Sequence, residues 1–314
     1  MSDVKVSVVT NCFNEETNIE EVYGRVRVAI NSVNWVTTYE HIFIDNCSTD
    51  GTVAVLKRLA ASDPALKIIV NNRNFGQIRS GMHAIFQATG DAVIHVVADL
   101  QDPPELIPQF LEKWREGFSV VIGQKSSAKD SWLMTFARRT FYLVMDRLSE
   151  SPQIKNFTGF GLFSKGVIEK IRSVDDPYPY FRGLISDFGY SIAIVPYEQP
   201  ARKRGVTTHN LYSLYDMAML GITNHSKVPL RMATFLGFAL SLVSGITGFF
   251  YLIYKLIAWD DFDLGMAPLV VGMFFFSAVQ LLFLGIVGEY VGSIHTRVQR
   301  RPMVVEKERI NFDK

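Results

Sequence analysis

The chain has 314 residues, with 32 Lys and Arg against 31 Asp and Glu for a net charge of +1. That balance excludes the broadly basic surface that draws nucleic acid, so charge must act locally. Two cysteines, Cys12 and Cys47, are too few for a disulfide framework and predict free thiols in a reducing compartment. The start, Met1-Ser2-Asp3-Val4-Lys5, lacks the basic and apolar runs of a secretory signal, so the N-terminal part is expected in the cytosol.

Val4–Val9 is a short apolar run that reads as a buried strand, and Glu15–Val33 follows with helical periodicity. His41–Ile44 predicts a second strand, closed by the turn-rich Asp45-Asn46-Cys47-Ser48-Thr49-Asp50-Gly51. Thr52–Ala61 reads as a helix, Leu66–Val70 as a strand, Gln77–Thr89 as a helix and Ala92–Ala98 as a strand. This alternation predicts a mainly parallel sheet with helices on both faces, whose ligands bind at the carboxyl ends of the strands. Asn11–Glu16, Asp45–Asp50 and Asp99–Glu105 all fall at that edge. Leu211–Leu220 has apolar residues at helical spacing and is compatible with a helix lying along headgroups or with an ordinary domain helix.

Two apolar segments follow, Ala233–Tyr254 and Pro268–Val291. Each is long enough to cross a hydrocarbon core, which takes roughly 20 helical residues. Lys227 and Arg231 precede the first, Arg297, Arg300 and Arg301 follow the second, and Asp260, Asp261 and Asp263 lie between. The positive-inside rule then predicts a two-span anchor with both chain ends in the cytoplasm. Gly245, Gly248, Gly285, Gly288 and Gly292 permit close helix packing, within the hairpin or between copies.

The richest run of oxygen ligands is Asp99-Leu100-Gln101-Asp102-Pro103-Pro104-Glu105. Mg²⁺ and Mn²⁺ favour carboxylate, amide and phosphate oxygens, and a turn can aim Asp99 and Gln101 at one ion. Read alone, the run is equally compatible with a strand-ending turn in which Asp102 caps the next helix. Asp45, Ser48 and Asp50 form a second polar turn, which an N-cap role for Asp50 or Ser48 would also explain. Asn14-Glu15-Glu16 would likewise suit a charged first helical turn. Their joint placement after successive strands favours a shared site.

These motifs, with Arg73-Asn74-Phe75-Gly76-Gln77, Arg182-Gly183, Arg202 before Gly205, Pro229-Leu230-Arg231, Gly288-Glu289-Tyr290-Val291-Gly292 and Arg301-Pro302, resemble the family-two glycosyltransferases of the GT-A fold. More narrowly they are similar to the polyprenyl-phosphate glycosyltransferases, the dolichyl-phosphate mannose synthase and GtrB-like group, over essentially the whole chain. The resemblance implies an α/β GT-A (Rossmann-like, mainly parallel sheet) catalytic domain over residues 1–210. A juxtamembrane region over 211–231, two transmembrane helices over 232–293 and a cytosolic tail over 294–314 would follow. It implies nucleotide binding by Asn14, Glu15, Asp45, Ser48, Asp50 and Asn74, and a Mg²⁺ or Mn²⁺ held by Asp99 and Gln101. Catalysis would rest on Asp99 and Arg202, with acceptor or phosphate binding by Arg202, Arg204 and Thr207. The partners would be a nucleotide sugar, a polyprenyl phosphate lipid, a bacterial-type inner membrane and further copies of the chain as a tetramer, but no nucleic acid.

Three positions depart from the family pattern. Val97 stands where an acidic residue usually precedes Asp99, Gly159 replaces an Asp before Phe160, and Thr207-Thr208 replaces a Ser-Lys pair. Transfer of one sugar, from UDP more than from GDP, to undecaprenyl phosphate is the expected reaction. Asp187 is an alternative acceptor-side carboxylate. A polysaccharide synthase would carry more spans, and a non-catalytic scaffold that binds a nucleotide sugar is the reading from a different class.

Overall fold

The computed structural model describes residues 3–126, 154, 157–199, 219, 223, 226–257, 266–299 and 301–312. Among them, eight strands form one sheet in the order β7-β5-β6-β4-β1-β2-β3-β8. The strands β1 (Lys5–Cys12), β2 (Thr38–Asp45), β3 (Leu66–Asn71) and β4 (Ala92–Val97) are parallel. β5 (Val120–Lys125) and β7 (Ile192–Tyr197) share their direction, whereas β6 (Phe157–Ser164) and β8 (Glu306–Ile310) run against it. β2 and β3 lie on one side of β1 and β4 on the other, so the order reverses between β1 and β4. In such a sheet the ligand crevice opens at that reversal.

Alternating side chains bury both faces of the sheet. Val6, Val8, Phe43 and Ile94 pack with α1 (Ile19–Asn31), α2 (Thr52–Ala60) and α4 (Ile107–Arg115). Val9, Ile42, Ile44 and Val93 pack with α3 (Gln77–Gln87), α5 (Lys165–Arg172) and α6 (Phe181–Asp187). Gly81 lets α3 approach β1, because a Cβ there would strike the Asn11 side chain.

Helix α1 starts at Ile19, four residues later than the periodicity from Glu15 predicts. The reason lies in the loop after β2. The backbone N–H groups of Asn14, Glu15 and Glu16 donate to Ser48 Oγ (2.9 Å), Thr52 Oγ1 (2.9 Å) and Asp50 Oδ2 (3.3 Å), which ties the segment to that loop in a turn conformation. Asn14 also has a left-handed φ of 56°.

Two apolar helices follow, α7 (Val228–Ile257) and α8 (Met266–Val298), which contain both segments predicted as spans. Within them Val228–Phe250 and Gly272–Val298 are long and apolar enough to cross a membrane, with 0% and 6% of their most apolar stretches buried. Phe235, Phe249, Phe274 and Leu281 project outward, an exposed apolar area that water does not tolerate on a lone domain. Among the described residues, no atom lies within 4 Å of where a Cβ would sit on Gly245, Gly248, Gly285, Gly288 or Gly292. Among the described residues, contacts between the two helices do not use these glycines. Of the segment Leu211–Leu220, only Met219 belongs to the described residues.

The segment after α8, read from sequence as a tail, returns to the sheet as β8, with Ile310 opposite Ile68 and Glu308 opposite Val70. Glu308 meets Lys57 at 2.7 Å and Glu306 meets His83 at 2.5 Å. Asn311, at φ 58°, donates from Nδ2 to the carbonyls of Ala60 and Leu66, both at 2.9 Å. The hairpin is thus inserted between two parts of one sheet.

Candidate active site

The loops after β1, β2 and β4 converge at the carboxyl edge, and each contains one non-glycine residue in left-handed backbone: Asn14 (φ 56°), Cys47 (φ 66°) and Leu100 (φ 57°). Such residues cost conformational energy and collect where a loop must hold a defined shape.

The first two loops are laced together. Asn14 Oδ1 accepts the Thr49 N–H at 2.8 Å, and Glu16 Oε2 accepts the Gly51 N–H at 3.0 Å. Asp50 Oδ1 accepts the Thr52 N–H at 3.0 Å and its hydroxyl at 2.5 Å. Burial tends to raise the Asp50 carboxyl, and these donors hold it below its ordinary range. Gly51, at the N-cap position of α2, has no side chain to offer, and Asp50 caps the helix start from one residue earlier by taking the Thr52 N–H, whereas Ser48 turns back to Asp45. Asp45 is 0% exposed, and both its oxygens accept from Ser48, one from the N–H at 2.9 Å and one from the hydroxyl. Burial nevertheless pushes the Asp45 carboxyl upward. Ser48, Asp50 and Asp45 therefore act here as braces that shape the rim.

A second brace reaches the loop after β3. Asn46 Nδ2 donates to Asn74 Oδ1 at 2.8 Å, while Asn46 Oδ1 accepts from the Phe75 N–H at 2.9 Å and Asn71 Nδ2 at 3.2 Å. Gly76 has φ 84°, and its N–H also reaches Asn74 Oδ1 at 2.9 Å. Glu15 Oε2 accepts from Asn18 Nδ2 at 2.6 Å, which fixes the one acid of the β1 loop that is half-buried.

The acidic run after β4 divides into distinct roles. Asp99 and Gln101 are half-buried at the edge, and Asp99 Oδ1 accepts the Gln101 N–H at 3.1 Å, which closes the turn around left-handed Leu100. Asp102 does not cap the next turn of helix; it is 3% exposed and accepts the Tyr197 hydroxyl at 2.6 Å. Burial raises the Asp102 carboxyl to about 6. Glu105 forms a two-point pair with Arg25 of α1, Nε to Oε1 and Nη2 to Oε2 both at 2.7 Å. One end of the loop is thus tied to α1 and the other to β7.

Hard divalent ions take oxygen ligands and often bind through one or two protein groups plus substrate phosphates. Among the described residues, no group of three His, Cys, Asp or Glu forms a protein-only cage. Asp99 with the Gln101 amide fits the sparser, phosphate-completed type. Arg202, Arg204 and Thr207 lie outside the described residues.

Gly159 has φ 104°, a backbone state that disfavours a side chain, and its carbonyl accepts from His95 Nδ1 at 3.1 Å. Burial pushes His95 below its ordinary pKa, so the ring is neutral. Sequence reasoning missed both His95 and Tyr197. The lone polar side chain in the apolar run of β4 was a usable signal for His95. Nothing local marks Tyr197, which meets its partner 95 positions away.

Residues 7–172 match the family model described as glycosyl transferase family 2. The chain is 34% identical over 301 residues to an uncharacterized glycosyltransferase of Synechocystis, covering 96% of this chain and 94% of that one. It is 32% identical over 308 residues to the SfII prophage-derived bactoprenol glucosyl transferase of Shigella flexneri, covering 97% and 98%. Among solved structures, the mannosyltransferase PcManGT of Pyrobaculum calidifontis, in complex with GDP-Man and Mn²⁺, aligns at 16% identity over 96% of this chain and 88% of that one, with a TM-score of 0.47. The family match spans more than half of the chain and includes the strands that build this GT-A-like site, and the chain belongs to glycosyl transferase family 2.

Proposed function

We propose that the protein transfers one hexose from a nucleotide sugar, with UDP-glucose the first donor to test, to bactoprenol (undecaprenyl) phosphate at the cytoplasmic face of a bacterial membrane. The observation that carries this reading is the match to bactoprenol glucosyl transferases over 97% and 98% of this chain, which is long enough to take in both the catalytic domain and the two apolar helices. A transferase with a lipid acceptor needs its site at the bilayer surface, and a membrane-spanning two-helix hairpin inserted in the catalytic sheet would supply that placement.

The acceptor phosphate loses its second proton near pH 6, so at neutral pH it is largely a dianion. One of its oxygens attacks the anomeric carbon as the bond to the donor's diphosphate breaks, and the diphosphate leaves with the electron pair. No strong protein base is required, which agrees with glycine at position 159. Asp99 and Gln101 would hold Mg²⁺ or Mn²⁺, which when bound supplies positive charge against the leaving diphosphate. The laced loops after β1 and β2 would seat the nucleotide, Glu15 and Asn14 at the rim with Asp45, Ser48 and Asp50 behind them. Arg202 and Arg204 would add charge to a phosphate, with Thr207 as a neutral donor.

The test is transfer of labelled glucose to undecaprenyl phosphate by the purified full chain in detergent with Mg²⁺ or Mn²⁺. The expected product moves into organic solvent and is acid-labile. Asp99→Asn should lower turnover by roughly 10²-fold or more. Wild-type turnover in that variant would overturn the site assignment, and nucleotide binding without transfer would overturn the reaction.

A further inference from the structure

A cavity of about 350 Å³ lies on the far side of the loop after β3, where α8 ends and the chain turns back toward β8. Among the described residues its lining includes Arg73, Arg79 and Arg301 and no carboxylate. Its floor is closed by the Asn72 N–H donating to the Val305 carbonyl at 2.9 Å. Arg73 stacks its guanidinium over the Phe75 ring at 4.3 Å, and Arg79 stacks over Tyr178 at 5.0 Å. Both planar groups are therefore oriented before any ligand arrives. The Arg79 Nε is buried with no hydrogen-bond partner among the described residues, and none of the three arginines has a carboxylate partner among them. Phe75, Arg79 and Thr296 also line a neighbouring cavity, which holds the carboxylates of Glu289 and of Asp176, the latter met by Arg297 at 3.4 Å.

Three unneutralised arginines around one concavity call for an anion with several oxygens, and guanidinium forks match phosphate in pairs. The height is equally specific. Thr296, from the last turns of the apolar helix α8, lines the same cavity, and the apolar window ends at Val298. If α8 crosses a bilayer, as the proposed function has it, the cavity lies at headgroup level. The Asp99 loop follows β4, and the cavity follows β3. These strands are three spacings apart in the sheet, about 14 Å.

We propose that Arg73, Arg79 and Arg301 bind the phosphate of an anionic phospholipid headgroup at a site separate from the sugar-transfer site. A lipid held there clamps the β3 edge, the returning chain and the end of α8 to the membrane surface. Through Asn74 and Asn46 the same loop contacts the rim of the active site, so the clamp also steadies that rim.

The experiment is native mass spectrometry of the detergent-purified full chain, titrated with phosphatidylglycerol, phosphatidylcholine or inorganic phosphate. Lipid retention does not depend on transfer, so this test stands or falls apart from the proposed reaction. Phosphatidylglycerol is expected to be retained over phosphatidylcholine, and millimolar inorganic phosphate is expected not to displace it. The double variant Arg73→Gln, Arg301→Gln should weaken retention by roughly tenfold or more. Arg58→Gln with Arg115→Gln, an equal charge change at two exposed positions away from the cavity, should leave it unchanged. Melting midpoints matching between the two double variants would verify that both are folded. Equal retention in the cavity variant and wild type would overturn the proposal, as would equal retention of phosphatidylcholine. Displacement by inorganic phosphate would overturn the lipid as the source and leave a free-phosphate site.

Discussion

At the scale of single residues, the acidic run after β4 separates into chemistry and support. Asp99 and Gln101 stand at the edge, while Asp102 is turned inward to Tyr197 and Glu105 is clamped by Arg25. Removing the Tyr197 hydroxyl strands a buried carboxylate, and an unsatisfied buried group of this kind costs about 1–3 kcal/mol. Tyr197→Phe should therefore lower the melting midpoint in detergent and push the Asp102 carboxyl further above its already raised value of about 6. An unchanged midpoint would mean that the bond contributes nothing to stability. Gly159 offers a second test at this scale. Its φ of 104° penalises any side chain, and restoring the family's usual residue should harm rather than help. Gly159→Asp is expected to destabilise by about 1–2 kcal/mol, with no gain in transfer rate. A faster enzyme would show that position 159 still wants an acid. The motif was readable from sequence as oxygen ligands after a strand, but its division of labour was not. Whether an Asp points outward or toward a tyrosine on another strand depends on a contact between distant parts of the chain.

At the scale of elements, strands β1 to β4 are legible because each is a short apolar run closed by turn residues, and the structure moves their ends by at most three residues. Helix α1 is misjudged at its start because side chains of the next loop hold Asn14, Glu15 and Glu16 in a turn, a long-range effect on a local pattern. β2 also carries two polar residues whose burial sets the acid stability of the sheet. Burial would raise the Glu40 carboxyl, but Lys67, Ser7 and Thr89 hold it down to about 2. The contacts are Ser7 Oγ at 2.6 Å, Lys67 Nζ at 2.8 Å, and Thr89 N–H and hydroxyl at 2.8 and 2.9 Å. Its neighbour His41 is pushed down to about 3 by burial and shares a 2.9 Å hydrogen bond with Thr10. The unfolded chain takes up a proton at His41 as pH falls below about 6.5, and at Glu40 below about 4.5, before the folded protein does. Stability is therefore lost stepwise from pH 6.5 downward, the Glu40 part between pH 4.5 and 2. Asp102 acts in the opposite sense, since its raised value makes the folded form bind the proton more tightly between about pH 4 and 6. Glu40→Gln should melt lower than wild type at pH 7 by the equivalent of about 3 kcal/mol, with the gap closing toward pH 2. A gap that stays constant from pH 7 to pH 2 would remove Glu40 from the account.

At the scale of the whole molecule, the order of parts matters more than their list. The two apolar helices were plain in the sequence, since hydropathy is a property of a window. β8 was not, because Glu306-Lys307-Glu308-Arg309-Ile310 is largely charged and lacks the apolar alternation that marks a half-buried strand. Its place is set by partners more than two hundred positions away, Lys57, His83 and Gln87. The consequence is that the hairpin is an insertion, and cutting the chain before the first apolar helix removes an edge strand as well as both apolar helices. A chain ending at residue 225 leaves the β3 edge unpaired and His83 and Lys57 without their glutamates, so it should be unstable and prone to edge-to-edge association. A chain in which residues 228–298 are replaced by a flexible Gly/Ser linker keeps β8 and should melt well above the truncated one. Because the loops after β1, β2 and β4 belong to the retained sheet, the linker form should bind a uridine diphosphate nucleotide. Without its anchor it should still fail to glycosylate acceptor lipid embedded in vesicles. Calorimetry, nucleotide titration and a vesicle transfer assay separate these claims. Equal melting of the two soluble forms would show that β8 adds nothing to the sheet, and full transfer by the linker form would show that the hairpin is not what brings the site to its lipid.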